Sequence, residues 1–127
     1  MRTITTHVVN GLNESLMINV LDAPGHGGAC HRYRIRKFVP TGDGSSVDAD
    51  LAQIHFQNGP IKEHGVNGVS NESLLAIVRD RLECFQRGPF ACETNSAALD
   101  HVVAAMESLS LRTRDRVARG VEGTSVN

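Results

Sequence analysis

Hydrophobic and polar positions follow two different periods along the chain, and the change falls near residue 70. Between residues 15 and 21, Leu16, Ile18 and Val20 occupy alternate positions, which predicts a half-buried strand. Residues 30–39 alternate again, with His31, Tyr33, Ile35 and Lys37 opposite Arg32, Arg34, Arg36 and Phe38. The Gly-rich segment Asp22 to Ala29 between these runs reads as a hairpin loop. Pro40 to Asp48 is expected to be a polar loop, and residues 51–57 a third strand with Ala52, Ile54 and Phe56 on one side. An additional strand over residues 3–9, turning at Asn10-Gly11, completes the expected antiparallel sheet.

Beyond residue 70 the period becomes helical. Ser70 is placed as an N-cap, and Leu74, Leu75, Val78, Leu82 and Phe85 form an apolar row over residues 71–87. Gly88-Pro89 ends that helix. A second helix runs from Glu93 or Thr94 to Arg119, with Leu99, Val102, Val103, Met106 and Leu109 as its buried stripe and Gly120 as the residue just past its end. A joint of about five residues makes the two helices antiparallel neighbours. The fold class expected is α+β: a small N-terminal antiparallel sheet followed by a long antiparallel helical hairpin. With 127 residues, a single domain over 1–127 is expected, its β part over 1–60 and its hairpin over 70–120.

Charge narrows the function classes. Thirteen Lys and Arg face 14 Asp and Glu, so the surplus cations that a general nucleic-acid binder needs are missing. No apolar run reaches the roughly 18 residues of a membrane span, and the N-terminus lacks the apolar core of a secretory signal. Cys30, Cys84 and Cys92 are odd in number and read as reduced thiols, not as a disulfide framework. Cations are dominated by Arg, with only Lys37 and Lys62 as exceptions, a bias toward planar anion contacts.

Several motifs can be weighed directly. Gly25-His26-Gly27-Gly28 has neither phosphate-loop spacing nor a following helix, so it reads as a hairpin loop. His26, Cys30 and His31 are close in sequence but form no metal-ligand motif, and no metal or cofactor is expected. No nucleophile signature surrounds any Cys, and an enzyme is not the expected reading. The Arg32, Arg34, Arg36 row reads as the solvent face of a strand.

Arg112, Arg116 and Arg119 fall on one helix face, and that face continues toward Leu109, Ala105 and Val102. Cations there complement the helix dipole, or they form a recessed anion site. Phe85 and Asn95 flank the turn between the helices. They are a core aromatic and a capping amide, or together a stacking face and a hydrogen-bonding group for a purine. Pattern alone leaves both pairs of readings open.

Four strings considered together add to this. They are Phe56-Gln57-Asn58-Gly59-Pro60 with Gly65-Val66-Asn67-Gly68; Asn71-Glu72; Phe85-Gln86 with Cys92-Glu93-Thr94-Asn95; and the tail Arg112-Thr113-x-x-Arg116-x-x-Arg119-Gly120-Val121-Glu122-Gly123-Thr124. In these the chain resembles the phage anti-Thoeris sponge proteins, the first-described Thoeris anti-defence family, over about residues 50–124. The resemblance implies a non-enzymatic protein, acting in the cytoplasm of the infected bacterial host, that sequesters cyclic ADP-ribose isomers. Some members also sequester cyclic di- and trinucleotides at separate sites within hexamers. The resemblance implies a pocket of Phe85, Asn95, Arg112 and Arg116: Phe85 stacks on the base, Asn95 hydrogen-bonds base or ribose, and the Arg pair clamps the pyrophosphate. The competing readings are a hydrolase of the same nucleotide and a small nucleic-acid-binding module.

Asn95 and Arg112 are 17 residues apart, about 25 Å along one straight helix. If all four residues line one pocket, Arg112 and Arg116 must come from a second copy packed antiparallel. A homodimer or hexamer is therefore expected.

Overall fold

The computed structural model describes residues 1–41 and 44–124, with residues 38–41 and 44–49 described by their backbone alone. Two compact units divide the chain: residues 1–58 with 66–68, and residues 59–65 with 69 onward.

The first unit is a four-stranded antiparallel sheet in the order β1 (Arg2–Ile4), β2 (Leu16–Val20), β3 (Arg32–Thr41), β4 (Gly44–His55). Its central register sets Ile18 opposite Ile35, and Ile35 opposite Ala52. Leu16, Ile18, Val20, Tyr33, Ile35, Ala52 and Ile54 therefore share one face, as period-two alternation requires. Val20 is its most buried member, and the Tyr33 and Phe56 rings meet edge to face at 5.5 Å. Asp22 closes the Gly-rich segment by accepting the backbone N–H groups of His31 and Arg32 at 3.0–3.1 Å. Gly27 and Gly28 supply its positive φ values, 74° and 82°.

The sheet differs from the expectation at two places. The expected strand over 3–9 is only Arg2–Ile4, and Asn10 does not turn a hairpin. Its side chain caps a helical turn, α1 (Gly11–Glu14), by accepting from the Asn13 N–H at 3.0 Å. The expected loop over 40–48 is strand as far as Thr41 and again from Gly44, with positions 42–43 outside the described residues. Backbone pairing of Val39 with Ser46 and Pro40 with Ser45 carries the ladder past the apolar pattern. Pro40 fits because β2 ends opposite Lys37, so the outer side of β3 is an edge there and needs no N–H.

A side-chain clasp follows β4. Asn67 accepts the N–H of Asn58 and donates to its carbonyl, both at 2.8 Å, and its own N–H reaches Gln57 Oε1 at 2.9 Å. Gly68 sits so close behind that a Cβ there would fall 2.4 Å from the Phe56 carbonyl carbon.

The second unit is the helical hairpin, with a helical turn α2 (Ile61–His64) ahead of α3 (Asn71–Gln86) and α4 (Glu93–Ala118). Ser70 caps α3 as expected. Its Oγ accepts the Ser73 N–H while Ser73 Oγ accepts the Ser70 N–H, both at 3.1 Å. On α4, Leu99, Val102, Val103, Met106 and Leu109 are the half-buried stripe that the sequence predicts, and Asn95 continues it. On α3 the half-buried face centres on Leu75, Leu82 and Gln86. Val78 and Phe85 lie on its margin, 44% and 38% exposed, in place of the expected interior. Gly120 follows α4 with φ of 72°, where the sequence places it. Among the described residues no helix is long and apolar enough to cross a membrane.

Candidate functional site

Two ends of the helical hairpin carry the predicted site residues. At the turn end, Gln86 exchanges two hydrogen bonds with the Cys92 backbone, Nε2 to the carbonyl and N–H to Oε1, each 3.1 Å. This amide pairing fixes the segment between the helices. Cys92 then stands at the N-cap of α4, and its thiol is held below the usual range by the Thr94 hydroxyl first and the Asn95 N–H second, against the opposing effect of desolvation. Asn95 is therefore not the cap. Its Nδ2 donates to the Phe90 carbonyl at 3.4 Å, which places the amide beside the turn.

Phe85 ends the last full turn of α3. Arg81, one turn earlier, holds its guanidinium 5.5 Å from the ring centroid. A shallow cavity of about 350 Å³ is lined by Asp80, Arg81, Cys84 and Phe85. The ring thus already meets a cation, while the residue as a whole is 38% exposed.

The other end carries the arginines, and their surroundings differ. Arg112 is exposed, and among the described residues no carboxylate pairs with it. Arg116 is 8% exposed. Its Nε meets Glu122 at 3.1 Å, and its Nη2 donates to the carbonyls of Val121 and Thr124 at 3.0 and 3.1 Å. Arg119 pairs with Asp115 at 3.3 Å. Gly120 turns the chain back after α4, and Gly123, with φ of 79°, lies against Ile61 and Lys62. The Arg–Gly–Val–Glu–Gly–Thr tail is therefore a closed knot around one guanidinium.

An apolar cavity of about 390 Å³, lined by Asn71, Leu74, Leu75 and Leu109, was not anticipated. Leu109 and Arg112 are three apart on α4, hence on one face. The signal was available: in an antiparallel hairpin, the start of α3 must meet the end of α4. Asn95 and Arg112 both belong to the uninterrupted α4, so the separation of about 25 Å stands.

Residues 48–110 match the model of the Acb2/Tad1 hairpin domain. The chain is also 40% identical over 100 residues to Thoeris anti-defense 1 of Bacillus phage SBSphiJ7. The helical hairpin of this chain is therefore similar to that of the Acb2/Tad1 proteins. That alignment covers 79% of this chain and 64% of the phage protein's own length. The Acb2/Tad1 hairpin match contains α3, Phe85 and Asn95, and it ends two residues before Arg112. The knotted tail lies beyond it.

Proposed function

We propose that this protein blocks Thoeris defence by binding a cyclic ADP-ribose isomer and withholding it, without cleaving it, in the cytoplasm of the infected host. The relative's name supports the defence system, and the chemistry of the hairpin supports the ligand class. The observation that carries the reading is the division of the site. An exposed ring with an amide stands at one end of the hairpin, and at the other stands a guanidinium with which no carboxylate pairs among the described residues, on the α4 face that carries Leu109. Neither half suffices for a nucleotide. A twofold pair of hairpins lying antiparallel supplies both halves twice.

In this reading Phe85 stacks on the base, Asn95 hydrogen-bonds base or ribose, and Arg112 of the second copy binds the pyrophosphate. Arg116 belongs to the site at its edge, holding the tail that follows Arg112. Assembly is further supported by the apolar surface a single chain leaves open. Val20 is the only large apolar side chain buried among the described residues, while Ile77, Val78, Phe90, Leu111 and Val117 are 44–71% exposed. The test is native mass spectrometry with a panel of cyclic ADP-ribose isomers and cyclic di- and trinucleotides. An even-numbered assembly that retains one intact isomer per composite pocket is expected. Recovery of chemically altered ligand overturns sequestration in favour of hydrolysis, and a monomer that binds ligand overturns the composite pocket.

A further inference from the structure

The row Arg32, Arg34, Arg36 is not a plain solvent face. Alternation along β3 sets it on the sheet face opposite Val20 and Tyr33, together with Asn19, which pairs in register with Arg34 and with Thr3. Arg32 is exposed, but Arg34 and Arg36 are half-buried and Asn19 is 1% exposed. The Asn19 Oδ1 accepts Arg34 Nε and Arg36 Nη2, each at 3.3 Å, and its Nδ2 donates to Thr3 Oγ1 at 3.3 Å. Two cations thus converge on one neutral oxygen, at distances long for bonds from a charged donor.

Among the described residues no carboxylate lies within ion-pair distance of Arg32, Arg34 or Arg36. Asp50, which pairs with Arg36 in register, accepts the Gln53 amide at 2.6 Å instead. The Nε of Arg36 is buried without a hydrogen-bond partner, a costly state for a charged donor. Of the fork donors, one on Arg34 faces the Met1 sulfur at 3.3 Å, a weak acceptor.

We propose that Arg34 and Arg36, positioned by Asn19, form a binding site for the phosphoryl group of a small phosphorylated molecule. A lone carboxylate is satisfied by the planar fork of a single Arg. A phosphoryl group offers more oxygens and can bridge the outer fork nitrogens of two half-buried arginines. The site lies in the β unit and is independent of the hairpin reading.

The probe is inorganic pyrophosphate, titrated into the full chain at constant ionic strength while the Arg Nε–H resonances are followed by NMR. Saturable shifts of Arg34 and Arg36 are expected, with affinity reduced about tenfold or more by Arg34→Gln or Arg36→Gln and unchanged by Lys62→Gln, an exposed cation outside both clusters. Arg36→Lys, which keeps the charge but not the fork, should also weaken binding. The wild-type titration decides even if a variant misfolds. Shifts matched by sodium chloride alone, or loss of binding in Arg112→Ala with Arg36→Gln unaffected, overturn the site. A random oligonucleotide that binds this face more tightly, with a steep salt dependence, overturns the small-molecule assignment.

Discussion

The guanidinium of Arg116 lies 3.1 Å from the Glu122 carboxylate, six positions on, and is buried where Arg112, one turn earlier, is exposed. Two arginines that look equivalent on a helical face therefore have different work. Arg116 organises the polypeptide that follows α4, and Arg112 stays open to solvent.

This division separates stability from affinity. Arg116→Ala removes the ion pair and two bonds to carbonyls. Glu122 stays 41% exposed and hydrated, so the loss should be about 2–3 kcal/mol, below that of a fully buried pair. Arg112→Ala should change stability by no more than about 0.5 kcal/mol yet weaken ligand binding about 10- to 100-fold. Urea unfolding followed by circular dichroism, with calorimetry of ligand binding, measures both.

Phe85 should show the same independence from folding. Because the ring is 38% exposed, Phe85→Ala should hardly move the unfolding midpoint. Loss of a stacked base should weaken the nucleotide by about 1–3 kcal/mol. Calorimetry with Phe85→Ala and Phe85→Tyr checks this, the tyrosine retaining the stacking face and most of the affinity.

Gly68 makes a steric prediction. A methyl group at Gly68 would meet Phe56 backbone at 2.4 Å and Gln57 nitrogen at 2.6 Å, and backbone cannot swing aside as a side chain can. Gly68→Ala should destabilise the protein by about 1–3 kcal/mol. Gly11→Ala, with nothing within 4 Å, should be neutral or slightly stabilising, so thermal melts of the two variants discriminate the cause.

Asp22 predicts an acid limit. Desolvation pushes its carboxyl upward, but the backbone N–H groups of Arg32 and His31, with the His31 ring, together hold it below the ordinary value. A folded pKa below the unfolded one gives stability that is complete above the unfolded pKa. That stability is lost as pH falls through the folded value. The loop from Asp22 to His31 should therefore stay closed at neutral pH and loosen below about pH 4, where an unperturbed Asp protonates. Protection of the His31 and Arg32 amides, taken relative to their intrinsic exchange rates at each pH, should fall as Asp22 protonates, and Asp22→Asn should abolish that fall.

The helix boundaries were legible because their signals are local. Ser70, Gly88-Pro89 and Gly120 act within a turn of where they stand, and the α4 stripe needs only its own period. The extension of β3 and β4 was hidden because Ser45 and Ser46 join through backbone groups that every residue has. Asn10 was legible as a turn residue but not as a cap, since both uses draw on the same side-chain oxygen. For the site, the sequence identified the face that carries Arg112 and Arg116. It could not show that Glu122 reaches back to one of them, because that contact depends on the left-handed turn at Gly120.

The 26 residues of α4 form one rod without a break, and this has a consequence for how the hairpin can vary. Inserting a single residue between Asn95 and Arg112 would rotate the guanidinium by about 100° away from its face. Seven inserted residues would restore the face but push Arg112 about 10 Å farther along the rod. Length changes here are thus quantised: only insertions close to a whole number of turns, such as seven or eleven residues, keep Arg112 at its present angle to Asn95.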